Sequence, residues 1–469
     1  MPAVFTDDEL QRMTDQVFRV LNDIGYHVAH PDLKQHLLKN GLSEGPSGRV
    51  CFDTKIIRDF VTFQEINAKK YTAPPRPPAP LGSRHLHRTS LGNMPSKYYD
   101  HEAGGAQVGS KKYLEHIARF AHADPRIRTL ALPLSLTDVP AVTSPIEAFL
   151  VMAAVTDKAR CHLEPFTGEL IDYIAELADL FDEPPNSGHG IGPCICINPI
   201  LKLEERSAGV MLAKAKYGVT SLMTSMPCAG GNAPVALDGV VVQGTAEIVG
   251  GLVISWLIEP DLNHRGYISS GSMDFKTATI TQSSPDSVLI DVGVVQLMNH
   301  AFGGNTAVGG RTYVAATQPG LQAVYEKMFK TIAYQSLLGD RVYGGHGVLD
   351  NGSCFSPEQL ILDLDVDAGL GALARGPVMG DDVLPAIAEV VEAGRADFMS
   401  HDHTLTHFRE AFWEPAMFLR PGGSEADILA RARQTFQSRV DAYQPPDIDE
   451  DKLRAGHDIL TRARNALLH

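Results

Sequence analysis

Cysteine is scarce in this chain. Six residues in 469, at irregular spacings, make no disulfide framework, and with 13 methionines they fit a reducing cytoplasm, the location expected here. Positive charge is also short. Lys+Arg number 41 against 56 Asp+Glu, a formal net charge of −15, which repels a phosphate backbone and excludes nucleic acid as a first expectation. The opening MPAVFTDDELQRM has neither a basic n-region nor an apolar core, so no signal peptide is expected. The most apolar run, 240–258, is interrupted by Gln243, Thr245 and Glu247 and reads as a buried helix, with no membrane span expected. No G-x-G-x-x-G follows the first strand, and there is no Walker motif, G-x-S-x-G, C-x-x-C or H-E-x-x-H, which removes the best-marked nucleotide, hydrolase and zinc classes. What is present is a globular balance, 44% hydrophobic and 21% charged, which excludes disorder and collagen-like repeats.

Residues 1–71 read as an N-terminal helical cap. Leu10, Met13, Val17, Val20 and Leu21 recur at three- and four-residue steps, which predicts a helix over 7–25. A second helix is predicted over 31–40, stopped by Gly41, then a short strand at 49–52 and a helix from Thr54. Residues 72–127 form a Pro-rich linker and connecting segment. From 128 to 400 strands and helices alternate. Strands are predicted at 130–136, 161–164, 190–197, 219–226, 266–272, 306–314 and 341–345. Helices are predicted at 145–155, 168–181, 203–217, 235–257, 287–301, 321–338 and 356–365. This rhythm predicts an α/β fold with a parallel sheet. An eighth strand near Ala372 or Pro377 would close it into a (β/α)8 TIM barrel. An open doubly wound sheet is the alternative. Helices at 381–393, 403–410 and 449–468 lead into and make up a C-terminal helical extension, 401–469.

In a parallel α/β barrel, reacting groups sit at the C-terminal strand ends. That yields Ser135, Asp138, Glu164, Asn198, Ser225, Cys228, Ser270, Ser272, Tyr313, Tyr343, His346 and Cys354. Alternation in the strand 190–197 puts Ile195 and Ile197 on one face and Cys194, Cys196 and Asn198 on the other. The branched apolar face should meet helices, leaving the cysteines and Asn198 to point inward. Zinc on Cys-x-Cys with His162, Cys228, His346 or Cys354 is a weak signal, since an i,i+2 strand pair is not a usual ligand spacing. No catalytic nucleophile is assigned and no metal is expected. His403 and His407, four apart beside Phe408 and Phe412, suit a packed or capping helix. The cobalamin fingerprint Asp-x-His-x-x-Gly is absent, because Asp402 and His403 are adjacent.

Three segments in order resemble the trimethylamine:corrinoid methyltransferase family. The first is Met226-Pro-Cys228-Ala-Gly-Gly-Asn232-Ala-Pro-Val235. The second is Thr317-Gln318-Pro319-Gly320-Leu321-Gln322-Ala323, followed by Tyr325-Glu326-Lys327, Tyr343-Gly-Gly-His346-Gly and Phe355-Ser356-Pro357-Glu358-Gln359-Leu360. The third is His403-Thr-Leu-Thr-His407-Phe-Arg-Glu-Ala-Phe-Trp413. The resemblance implies a (β/α)8 barrel that moves a methyl group from an amine to the cobalt of a separate corrinoid protein. Founding members carry pyrrolysine in a context similar to Pro319-Gly320-Leu321-Gln322. Leu321 stands in that slot, so the chain looks like the non-pyrrolysine branch, which demethylates quaternary amines such as glycine betaine.

The expected partners are therefore a small methylated amine and a corrinoid protein, with homo-oligomerisation also expected; cobalamin comes with the partner and no cofactor is expected in this chain. A quaternary ammonium leaves as a neutral amine and needs no acid catalyst. Aromatic faces attract such a cation at roughly 0.5–2 kcal/mol each. Tyr313, Tyr343, Phe166 and Phe355 are the expected cage, with Glu164 as compensating charge. His346, Asn198 or Arg311 are expected donors to a substrate carboxylate, and Gln322 joins the site through the resemblance alone. Two alternatives stand beside this reading: a thioether, sulfonium or methylated-pterin donor, and a non-catalytic binder of methylated osmolytes.

Overall fold

The computed structural model describes residues 3–71, 89–339, 344–375, 380, 382–419 and 421–468. The fold is mixed α/β, with 15 α-helices among the described residues.

Its centre is a four-stranded parallel sheet in the order Thr306–Val308, Arg265–Ile268, Leu222–Ser225, Cys194–Ile197. Registered rows cross it. Cys196 pairs with Thr224, Thr224 with Tyr267, and Tyr267 with Ala307. Paired residues in a parallel ladder share a face, so this row forms one side of the sheet. The adjacent rows form the other side, where Ile195, Ile197, Met223 and Ile268 are buried. That side meets the helix Leu237–Ile258: a Cβ on Gly251 would press on Met223 and Ile197, and one on Gly244 on Ile268. Ile195 and Ile197 thus meet the core helix, and Cys194 and Cys196 lie on the opposite face, as alternation expects.

The long apolar run is a core helix. Among the described residues Leu237–Ile258 alone has the length and composition of a membrane span, but it is mostly buried inside the protein. Its polar interruptions have partners. Glu247 accepts from Ser225 Oγ at 2.6 Å, from the Leu201 amide at 3.1 Å and from Gln243 Nε2 at 3.1 Å. Burial pushes its carboxyl up in pKa, as expected for a charge removed from water.

Parallel pairing continues beyond these four strands. Leu163 bridges to Ile191, Leu130 bridges to Ala159, and Ile127–Leu130 pairs with Thr89–Leu91. The strand that precedes the predicted series therefore comes from residues 89–91. The eighth strand expected near Ala372 is not there, because Pro357–Arg375 is one helix; Pro377 lies outside the described residues. Apolar residues at Leu360, Ile361, Leu362 and Leu364 are buried on that helix, and its helical period runs past the predicted end at 365.

The cap reading for residues up to 71 gives the expected elements. Asp7–Arg19 starts on a capping box between Thr6 and Glu9 and buries Leu10, Met13 and Val17. Pro31–Lys39 and Thr54–Tyr71 follow. The connecting segment is more structured than its composition indicates. Lys97–Asp100 and Gly105–Val108 form a hairpin, and Lys111–Ala123 is a helix burying Leu114, Ile117 and Phe120. Towards the C-terminus, Glu425–Asp441 packs on Pro357–Arg375 and Lys111–Ala123, and Glu450–Leu467 on Ile171–Leu180 and Ser144–Ala153.

Candidate active site

The inward face of the sheet carries Cys194, Cys196, Thr224 and Tyr267. Cys194 Sγ lies 3.3 Å from Thr224 Oγ1. Tyr313 follows the last strand of the sheet and lies within electrostatic reach of Cys194, Cys196 and Tyr267. A Cβ on Gly352, whose φ is +89°, would meet the Tyr313 ring at 2.8 Å. Only glycine combines that backbone with that clearance. Burial pushes the Tyr313 phenol up to about 12 and raises the Tyr267 phenol, so both rings are neutral at physiological pH. The thiols diverge. A hydrogen bond from Cys194 lowers Cys196 to about 7, with Lys214 and Arg206 assisting, while the same bond and burial raise Cys194.

Glu164 supports this face from beneath. Its carboxylate accepts from the Cys194 amide at 3.1 Å and lies 3.3 Å from Lys214 Nζ. Lys214 is fully buried and also donates to the Cys194 carbonyl at 3.0 Å. The charge of Glu164 is thus matched by a resident lysine. Phe166 is half-buried two residues on. Asn198 follows the strand two residues after Cys196. It is exposed, its backbone pairs with Lys202, and with Cys196 it borders a cleft of about 1120 Å³ against Thr167, Glu204 and Arg206.

The helix Leu321–Leu338 holds the Tyr313 loop. Lys330 Nζ donates to the Tyr313 carbonyl at 3.0 Å and to the Gln282 carbonyl at 2.8 Å. Glu326 Oε2 accepts from the Ala315 amide at 2.6 Å and from Ser283 Oγ at 2.9 Å. Lys327 bridges Asp363 at 2.5 Å and the Gly345 carbonyl at 2.7 Å. Burial lowers Lys327 and brings Lys330 down to about 8. Leu321 and Gln322 begin this helix and are exposed. The Leu321 amide donates to Glu425 Oε1 at 2.6 Å, and Gln322 Nε2 to Glu326 Oε1 at 2.7 Å.

Arg311 and His346 come together, but on a carboxylate of their own chain. Arg311, 1% exposed, donates to both oxygens of Asp367 at 2.6 and 3.0 Å. His346 Nε2 lies 2.6 Å from Asp367 Oδ2 and its Nδ1 3.0 Å from Thr89 Oγ1. The same Nε2 lies 3.0 Å from Arg311 Nη2. Burial lowers the His346 pKa. His346 and Arg311 hold Asp367 well below the usual carboxylate range against the opposing effect of its burial. Gly345, φ +68°, permits this approach: a Cβ there would lie 2.5 Å from the Thr312 Cα. These two residues are committed to Asp367, contrary to the expectation of free donors. Phe355 is likewise elsewhere, 1% exposed in the core and stacked on Tyr98 at 6.2 Å. Tyr343 lies outside the described residues.

Of the expected cage, Tyr313 lies beside the inward face and Phe166 flanks its support. The structure adds Tyr267 and Thr224 in the row of the expected Cys196. Tyr267 was within reach of the alternation argument, since it stands between Gly266 and Ile268 on a predicted strand. Lys330 and Asp367 had no such signal, because their partners lie far away in sequence.

The arrangement sets two half-buried neutral phenols near a soft, polarisable thiol pair, with the Glu164 carboxylate matched by Lys214. Comparison with known proteins gives it a context. A family model described as Trimethylamine methyltransferase (MTTB) matches residues 2–467. The trimethylamine methyltransferase MttB of Methanosarcina barkeri (strain Fusaro / DSM 804) is 24% identical, covering 99% of this chain and 95% of that protein. The trimethylamine methyltransferase MttB of Desulfitobacterium hafniense (strain DSM 10664 / DCB-2) is 23% identical, covering 96% and 91%. A glycine betaine methyltransferase of Desulfitobacterium hafniense (strain Y51) is 24% identical over 258 residues, covering 54% and 53%. The chain belongs to the trimethylamine methyltransferase (MTTB) family and is a methyltransferase.

Proposed function

We propose that this enzyme takes a methyl group from a quaternary amine of the betaine type and delivers it to the cobalt of a separate corrinoid protein. The observation that carries the reading is Tyr267 on the sheet face of Cys196, with Tyr313 close by, both as neutral rings. Ring faces attract a permanently cationic headgroup and strip its water. The Lys330 and Glu326 contacts fix the Tyr313 loop, so the rings are in place before the donor arrives, and the cost of orienting it falls on the protein scaffold.

A reduced corrinoid supplies a strong metal nucleophile for in-line displacement at carbon. The residues of this chain bind the donor, aim one methyl outward and exclude water. The carbon–nitrogen bond breaks with its electron pair going to nitrogen, which leaves as a neutral amine. No side chain has to donate a proton, which agrees with the commitment of His346 to Asp367. Leu321 at the pyrrolysine position supports a donor that needs no covalent activator. The corrinoid fits as a partner's group, because Asp402 and His403 are adjacent and His403 faces Asp382.

The fold is proposed to close as a (β/α)8 barrel whose first strand is 89–91. The successive parallel pairings support this, as does the Thr89–His346 hydrogen bond at 3.0 Å, which joins the first segment to the last. The experiment is to mix the enzyme with cob(I)alamin and a panel of methylated amines. Methylcobalamin should appear with at least one quaternary donor; an unchanged cob(I)alamin spectrum across all betaines would remove the reading.

A further inference from the structure

Far from the rings in sequence, the helix Asp402–Ala411 presents His403 and His407 one turn apart. Their rings are 4.7 Å apart between centroids. Asp382 stands at the start of the helix Val383–Glu392 and faces both. Its Oδ2 lies 2.8 Å from His407 Nε2, and its Oδ1 lies 3.7 Å from His403 Nε2. One ligand atom from each of the three residues falls within 4.8 Å of the others. The histidines are not packed into a core: the side chains of Asp382, His403 and His407 are 54%, 29% and 43% exposed.

We propose that Asp382, His403 and His407 form a binding site for a zinc-class divalent transition metal. Two imidazoles at i,i+4 on one helix are a preferred pair for zinc, and a carboxylate from a second element completes a three-ligand set. Ligands at zinc–nitrogen and zinc–oxygen lengths of about 2.0–2.2 Å stand about 3.3–3.5 Å apart in a tetrahedron. The two Asp382 distances bracket that spacing, so small rotamer changes seat an ion. The fourth position faces solvent and takes water or an external ligand.

The site has a structural reason to exist. Val383–Glu392 buries only Ala386 and Val390 among its described side chains, while Leu384, Val391, Leu405 and Phe408 are exposed. Apolar burial does little to hold these two helices together. A second histidine–carboxylate contact, His401 Nε2 to Glu389 Oε2 at 3.2 Å, also ties them. A metal at Asp382 replaces a hydrogen bond with coordinate bonds and braces the pair.

The test uses the full-length enzyme and zinc chloride, with bound metal counted after dialysis and binding followed by calorimetry. The expected result is a zinc equivalent that His407→Ala and Asp382→Asn each abolish and that a Cys194→Ser/Cys196→Ser variant retains. Cobalt(II) in the same site should give tetrahedral visible bands that disappear in His403→Asn. Both helices remain in these variants, because the substituted side chains are surface groups, and circular dichroism checks this. Zinc that binds equally to His407→Ala and Asp382→Asn, zinc that follows the cysteines, or no bound equivalent at all would overturn the proposal.

Discussion

Replacing Tyr313 by leucine removes a ring face while keeping an apolar side chain. The backbone of Tyr313 is held from its own carbonyl by Lys330 at 3.0 Å, and its neighbours Ala315 and Ala316 are held by Glu326. The loop should therefore stay in place, and the loss should report the ring. A cation–ring contact contributes about 0.5–2 kcal/mol, which corresponds to a dissociation constant raised about 2- to 30-fold. Tyr313→Phe keeps the face and should stay within about threefold of the original. Isothermal titration with glycine betaine reads both. A second ligand, 3,3-dimethylbutanoate, carries carbon where betaine carries nitrogen. It should bind the unmodified enzyme more weakly and lose little further in Tyr313→Leu, so that the cycle isolates the charge term. Equal losses for the two ligands, or none for betaine, would refute the reasoning.

Other outcomes follow from the charges around the rings. Asp367→Ala leaves Arg311 and His346 buried without their carboxylate and should cost about 3–5 kcal/mol in urea unfolding, while an Arg311→Met/Asp367→Leu double variant should recover most of it. His346 is held neutral, its folded pKa lying below its unfolded value. The unfolded chain therefore binds the extra proton, and stability should fall as pH drops through about 6.5; comparing melting at pH 8 and pH 5.5 should show a smaller acid loss in His346→Gln. Cys196 should be the fastest thiol to react with iodoacetamide, with a midpoint near its lowered value of about 7. Cys194→Ala should shift that midpoint upward by removing the hydrogen bond, and betaine should slow the reaction.

Much of the fold was legible because burial imposes period. Leu321–Leu338 matches its predicted range, and Ile195 and Ile197 turn to the core helix as alternation requires. The run 240–258 carries its own correction, since Gln243 and Glu247 make sense only with internal partners. Ala372 lies in a helix because an apolar stretch there reads equally as strand or helix, and the parallel strand at 89–91 follows a Pro-rich run that masks it. At the site, pattern found Tyr313 and the Cys194–Cys196 face. It failed for Arg311, His346 and Phe355. Their residue types fit donors and rings, but Asp367 and Tyr98, which engage them, come from distant elements that no local spacing reveals.

The central claim is that a permanently cationic donor, held by neutral rings, needs no acid and no pyrrolysine. The direct measurement is the initial rate of methyl transfer to cob(I)alamin from glycine betaine and from trimethylamine at equal concentration and neutral pH. The account predicts transfer from the betaine at a rate well above that from the tertiary amine. Trimethylamine reacting as fast as the betaine, or faster, would contradict it.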